Sequence, residues 1–97
     1  MSLNIKKENS VLTLNGRLDT TTAPDLEIVL DDMLPSTKEL VLDLENLEYI
    51  SSAGLRVLLK AQKEMNKKGT MKLVHVPDAV MEVFDITGFV DFLTIES

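Results

Sequence analysis

The sequence has no cysteine and no tryptophan, and it carries one histidine, one tyrosine and three phenylalanines among its 97 residues. Without cysteine there is neither a disulfide framework nor a thiolate metal site, which suits a reducing compartment and makes the cytoplasm the expected location. A nucleophile–base–acid triad would have to use His75, which lies between Val74 and Val76 in what reads as a strand and is taken as a structural or surface residue. A zinc site asks for three or four ligands, and one histidine leaves only carboxylates such as Asp31, Asp32, Glu45 and Glu48, which read as solvated surface. No metal and no cofactor are expected. The four glycines, Gly16, Gly54, Gly69 and Gly88, stand alone, so neither the phosphate-cradling GxxxxGK[ST] loop nor the GxGxxG fingerprint is present. The residues give an enzyme no visible seat.

Positive charge is also scarce. Ten basic residues against sixteen acidic ones leave a net charge of −6, so the chain lacks the field that binds phosphate backbones, and direct nucleic-acid binding is not expected. No apolar run approaches the ~20 residues that span a bilayer, and Leu55 to Leu59 is already interrupted at Arg56, so membrane insertion is not expected. Lys6 and Lys7 are followed by Glu8 and Asn9 instead of an apolar stretch, unlike a signal peptide. What is present is ordinary for a globular domain: 44% hydrophobic and 27% charged residues, no repeat, and a length near the ~100-residue mode for domains. Residues 1–97 read as one domain with one core.

Periodicity orders the elements. Leu3 and Ile5 begin a short edge strand, and after a turn at Glu8-Asn9-Ser10 the run Val11, Leu12, Leu14 forms a second strand ending near Asn15-Gly16. Thr22 is placed as a cap with Asp25 three residues on, Pro24 suits the first turn, and Leu26, Val29, Leu30 and Met33 recur at helical spacing until Pro35. Glu39 to Leu44 is apolar enough to predict a mid-sheet strand covered on both faces. Ser51-Ser52 offers two N-caps for the longest helix, whose stripe Leu55, Leu58, Leu59, Ala61, Gln62, Met65 runs to Lys68-Gly69, with cations crowded toward the end where they suit the helix dipole. Met71 to Val76 predicts a strand, Pro77 to Thr87 a short helix stopped by Gly88, and Phe89 to Ile95 a last strand. The order is β-β-α-β-α-β-α-β, an α/β layer fold with helices packed against a mixed, largely parallel sheet.

The one segment that invites a functional reading is the approach to the second helix, Tyr49-Ile50-Ser51-Ser52-Ala53-Gly54-Leu55, where two hydroxyls open a helix and the next residues are small. A capping serine there is worth about 1 kcal/mol, whereas Gly54 in the first turn costs nearly as much unless something requires it. A phosphate added at such a helix start finds free N–H groups and a favourable dipole. Capping and a phosphoserine switch are both compatible with these residues.

Val41-Leu42-Asp43-Leu44, followed by Tyr49-Ile50-Ser51-Ser52-Ala53-Gly54-Leu55-Arg56-Val57-Leu58-Leu59, resembles the signature of STAS domains of the bacterial anti-sigma factor antagonist family. Gly16-Arg17-Leu18-Asp19 resembles the family's G-x-L-D turn and Val83-Phe84-Asp85-Ile86-Thr87-Gly88-Phe89 its late helix-to-strand segment, so the likeness covers nearly the whole chain. It implies a small, non-enzymatic α/β domain that binds an anti-sigma factor serine kinase, frees a sigma factor, and is switched off by serine phosphorylation that a phosphatase reverses. Aligned on Gly54-Leu55, the family's Asp-Ser-Ser/Thr-Gly-Leu places the acceptor on Ser52, with Ser51 in the Asp position and Ala53 in the Ser/Thr position. The partner surface it implies comprises Asp19, Thr20, Asp43, Tyr49, Ser51, Ser52, Ala53, Gly54 and Arg56. Ser51 is the less favoured acceptor. The changed Asp position motivates an alternative, a STAS docking subunit of a lipid-transport or transporter-associated complex with no kinase. Phe89, Phe92 and Ile95 form a candidate apolar patch, and a monomer is expected over an obligate oligomer.

Overall fold

Strand-forming runs alternate with helical stripes, and the computed structural model, which describes residues 3–96, follows them in the expected order. The elements are β1 (Leu3–Glu8), β2 (Val11–Leu18), α1 (Ala23–Met33), β3 (Glu39–Ile50), α2 (Ser52–Met65), β4 (Thr70–Val74), α3 (Asp78–Thr87) and β5 (Ile95–Glu96). The five strands form one sheet in the order β1-β2-β3-β4-β5. β1 runs antiparallel to β2, and the remaining pairs are parallel. The hairpin turns at Asn9, whose φ of 56° is one that asparagine tolerates well.

The core lies on one side of the sheet. Leu12, Leu14 and Leu18 of β2, Leu40, Leu42 and Leu44 of β3, and Met71 and Leu73 of β4 are buried in one cluster with the apolar stripes of all three helices. The alternate residues, Val11 and Thr13 beside Val41 and Asp43, are only half-buried. The expected two-sided cover of β3 is therefore corrected: its leucines line one face at period two, and Val41, although apolar, belongs to the open face. β3 also extends past Leu44 to Ile50, because its register against β2 shifts between Thr13 and Asn15 and again between Gly16 and Arg17. Each shift adds a residue to β3 that no residue of β2 matches, so the more polar stretch after Leu44 continues as strand.

The helix boundaries follow local chemistry. Pro24 sits in the first turn of α1, and Gly88, at φ 79°, ends α3 in the left-handed conformation that glycine adopts without strain. Gly69 permits a close chain crossing, since a Cβ there would run into the carbonyl oxygen of Lys38. Lys60 of α2 reaches Glu27 of α1 at 3.0 Å, and the hydrogen bond and charge of Glu27 raise its pKa.

Three expectations besides that for β3 are corrected. Thr22 precedes α1, but its side chain makes no capping bond to the helix. β4 ends at Val74, so His75 lies outside the strand, exposed and at φ 55°. Phe89 to Ile95 does not form a strand: Phe89–Asp91 is a 3-10 turn and only Ile95–Glu96 pairs with β4. Burial of Leu93 and Val90 against the helical side favours a turn over an extended run, and the backbone N–H of Thr94 is held by the side chain of buried Gln62 at 3.0 Å.

Candidate functional site: the start of the second helix

In a parallel sheet, loops at the C-terminal strand ends gather on one edge, and ligands and partners are met there. β2 ends at Leu18 and β3 at Ile50, directly paired, so the Asp19–Thr22 loop and the start of α2 are neighbours. Ser51 N–H donates to the carbonyl of Leu18 at 2.9 Å and fixes the two chain ends to each other. Gly54 completes the junction. A Cβ on it would lie 2.5 Å from Leu18 Cγ and 2.9 Å from the Leu18 carbonyl oxygen, so the first turn of α2 can press on β2 only because residue 54 has no side chain. The helix-propensity cost of this glycine thus has its reason in packing.

The two serines have different surroundings. Ser51 is the N-cap, half-buried, in extended conformation, and its hydroxyl accepts a hydrogen bond from Gly54 N–H at 3.3 Å. Ser52 is the first helical residue and is exposed. Arg56, also exposed, stands four residues further along α2, the spacing at which side chains on a helix surface meet. Thr20, Ala53, Arg56 and Lys60 line a cleft of about 220 Å³ between the starts of α1 and α2.

The loop after β2 is organised by a carboxylate. One oxygen of Asp19 accepts hydrogen bonds from Thr21 N–H at 3.0 Å, Thr21 hydroxyl at 2.8 Å and Thr22 N–H at 3.2 Å. The Thr21 hydroxyl is the largest cause holding the Asp19 pKa below its ordinary 3.8, with desolvation opposing it and the backbone N–H groups of Thr21 and Thr22 adding to it. Thr22, buried, donates its hydroxyl to the Arg17 carbonyl at 2.8 Å and accepts Asp19 N–H at 2.8 Å, so its side chain closes the loop instead of capping α1. Arg17 stacks over Tyr49, its guanidinium carbon 4.2 Å from the ring centroid, with Asp19 3.7 Å from its Nε. Local sequence pattern does not show this pairing, because both register shifts between β2 and β3 are needed to bring residue 49 opposite residue 17.

Asp19, Thr20, Tyr49, Ser51, Ser52, Ala53, Gly54 and Arg56 therefore surround one sheet edge. Asp43 does not join them. It lies seven residues before Ile50 on β3, roughly 20 Å away at a strand rise of about 3.3 Å per residue, and its carboxylate meets His75 Nδ1 at 3.1 Å. Asp43, Glu45 and His75 are the one set of metal-ligand types clustered among the described residues, with ligand atoms within 4.8 Å of one another. Glu45 and His75 are exposed, and Asp43 is already engaged by His75 and by the Glu45 N–H at 3.1 Å.

The profile of the family described as "Mlab, STAS domain" matches residues 1–94. The Anti-sigma-B factor antagonist of Staphylococcus aureus is 31% identical to this chain, with 96% of this chain and 92% of that one aligned. The chain belongs to the STAS-domain family, among the anti-sigma factor antagonists. BtrV of Bordetella bronchiseptica is 35% identical over 98% of this STAS domain and 85% of its own length. Among solved structures, an anti-sigma factor antagonist from Mycobacterium paratuberculosis superimposes with a TM-score of 0.82 at 24% identity, covering 96% of this chain and 82% of that chain. The Bacillus protein SpoIIAA in its phosphorylated form shares the fold at 14% identity, with a TM-score of 0.71 over 98% of this chain and 91% of that one. Among the described residues, no helix of the STAS domain is long and apolar enough to cross a membrane.

Two predictions follow from the geometry. Ser51→Ala removes the cap and lowers unfolding free energy by about 1 kcal/mol, whereas Ser52→Ala changes it by less than about half of that, as read by urea denaturation. For Asp19 the folded-state pKa lies below the unfolded one, so its charged form contributes stability that is complete above the unfolded pKa and lost as pH falls through the folded value. Denaturation of wild type and Asp19→Asn below about pH 5 should show wild type losing the advantage that its carboxylate confers, with the two curves converging as acid protonates it.

Proposed function

We propose that this STAS domain, while unphosphorylated, binds an anti-sigma factor of the serine-kinase type through the start of α2, releases a sigma factor, and loses that partner when Ser52 is phosphorylated. The observation that carries the reading is the division of labour between the serines: Ser51 is committed to capping, and Ser52 stands exposed on the first helical turn beside Arg56. The family membership supports an anti-sigma factor as partner, and the relatives carry names of antagonists, not of catalysts.

The mechanism is electrostatic and local. A phosphate on Ser52 sits where a helix presents unpaired N–H groups and positive dipole, and Arg56 one turn on can neutralise part of its charge, so the free domain stays folded. In a packed interface the same group of about −2 charge must be desolvated, and the contact is lost. Exposed Tyr49, stacked on Arg17, offers an aromatic contact at the same end of the sheet, while Asp19, Glu45, Glu48 and, further down the strand, Asp43 give the domain an acidic field that steers a basic partner surface. A phosphatase restores the unmodified serine. The domain acts in the cytoplasm as a monomer and performs no chemistry of its own.

A second reading has one observation in its favour. Ser51 occupies the position where the family carries Asp, and a docking subunit of a lipid-transport or transporter-associated complex would need the helix start without a kinase. The two readings separate on a single variant. Ser52→Glu should keep the thermal stability of wild type and bind the cognate anti-sigma factor about tenfold or more weakly by calorimetry. Equal binding by Ser52→Glu and wild type contradicts the switch.

A further inference from the structure

A concavity roomier than the cleft at the Ser52 edge lies elsewhere on the domain. It is a groove of about 480 Å³ between the C-terminal half of α2 and the turn that follows α3, and Lys63 on its rim is eleven residues along α2 from Ser52, roughly 16 Å. Its floor is apolar: Leu59 from α2, with Phe89 and Phe92 in edge contact, their ring centroids 6.0 Å apart. Phe92 is 66% exposed. Gln62 and Asn66 close one side, and the Gln62 amide is already used, donating to Asn66 and accepting Thr94 N–H, so the wall is held rigid.

The rim is positive in a chain of net charge −6. Lys63 lies in the last turn of α2 and Lys67 in the turn that follows it, both exposed, and among the described residues neither has a carboxylate within the 4.0 Å of an ion pair, whereas Lys60 and Lys72 do. The helix dipole accounts for cations in the last turn of α2, but not for an exposed phenylalanine pair set beside them. A volume of this size falls within the ~300–1,000 Å³ typical of small-ligand pockets. The apolar strip is a few side chains wide, far below the ~800 Å² per partner of a stable protein interface.

We propose that this groove binds an anionic single-chain amphiphile, a free fatty acid or similar carboxylate, with its head between Lys63 and Lys67 and its chain over Leu59, Phe89 and Phe92. The site is separate from the helix start and does not depend on the switch proposed there. The charge complementarity selects the head group and the aromatic floor selects the tail.

The test titrates the isotopically labelled domain with monomeric decanoate by NMR. Saturable shifts confined to Leu59, Lys63, Lys67, Phe89 and Phe92 are expected, with octanoate binding more weakly by about fourfold for each methylene lost from the groove. Decyltrimethylammonium, with the same tail and opposite charge, should bind at least about tenfold more weakly. The double variant Lys63→Glu/Lys67→Glu should lose decanoate binding by a similar factor, and Phe92→Ser, at an exposed position that leaves the core intact, should reduce it independently. No saturable shifts, equal binding of the cationic amphiphile, or full affinity in the charge-reversed variant overturns the proposal. Binding to phosphatidylglycerol vesicles without binding to decanoate overturns it in favour of a membrane surface, and concentration-dependent shifts at these residues without ligand overturn it in favour of a second copy of the chain.

Discussion

The structure turns on the contact between Gly54 and Leu18. The end of β2 and the first turn of α2 approach so closely that no Cβ fits between them, and the Ser51 N–H to Leu18 carbonyl hydrogen bond closes the same junction. From this constraint the functional edge follows. With α2 pinned to β2, the Asp19 loop is forced alongside the helix start, Ser51 is turned inward to cap, and Ser52 is left as the first side chain facing solvent. The small residues after the serines are thus needed inside the fold, and their smallness toward a partner is a by-product of packing.

The loop and the strands around this junction are rigid for distinct reasons. Asp19 gathers the donors of Thr21 and Thr22, and Thr22 spends its hydroxyl on the Arg17 carbonyl, so a six-residue stretch has little backbone freedom to lose when a partner binds. The Arg17 guanidinium lies over the Tyr49 ring across the β2–β3 pair. Pre-organisation of this kind suits the proposed switch, because a charge added at Ser52 would meet a loop with little freedom to move aside.

Much of this was legible in the residues. Alternating leucines, the proline and glycine punctuation and the helical stripes specify the order of all eight elements, and Gly54 announced itself by sitting where a helix least wants it. Other features depend on register, which local pattern does not carry. Two unmatched residues in β3 decide that Tyr49 meets Arg17, and the β3–β4 register sets Asp43 opposite Val74, next to His75. Val41 reads as a core residue until the sheet is seen to have an open face, and Phe89 to Ile95 reads as strand until Leu93 and Val90 are drawn to the helical side. Thr22 reads as a cap because the rule for caps does not know that a carbonyl two residues before Asp19 needs a donor more.

The central claim is that the exposed hydroxyl, not the capping one, carries the control. Phosphopeptide mass spectrometry on the protein isolated from its own host, with Ser51→Ala and Ser52→Ala versions expressed beside it, tests this most directly. The account predicts a single phosphate that is present on wild type and Ser51→Ala and missing from Ser52→Ala. A phosphate that persists in Ser52→Ala, or protein that stays unmodified in every growth condition, would contradict it.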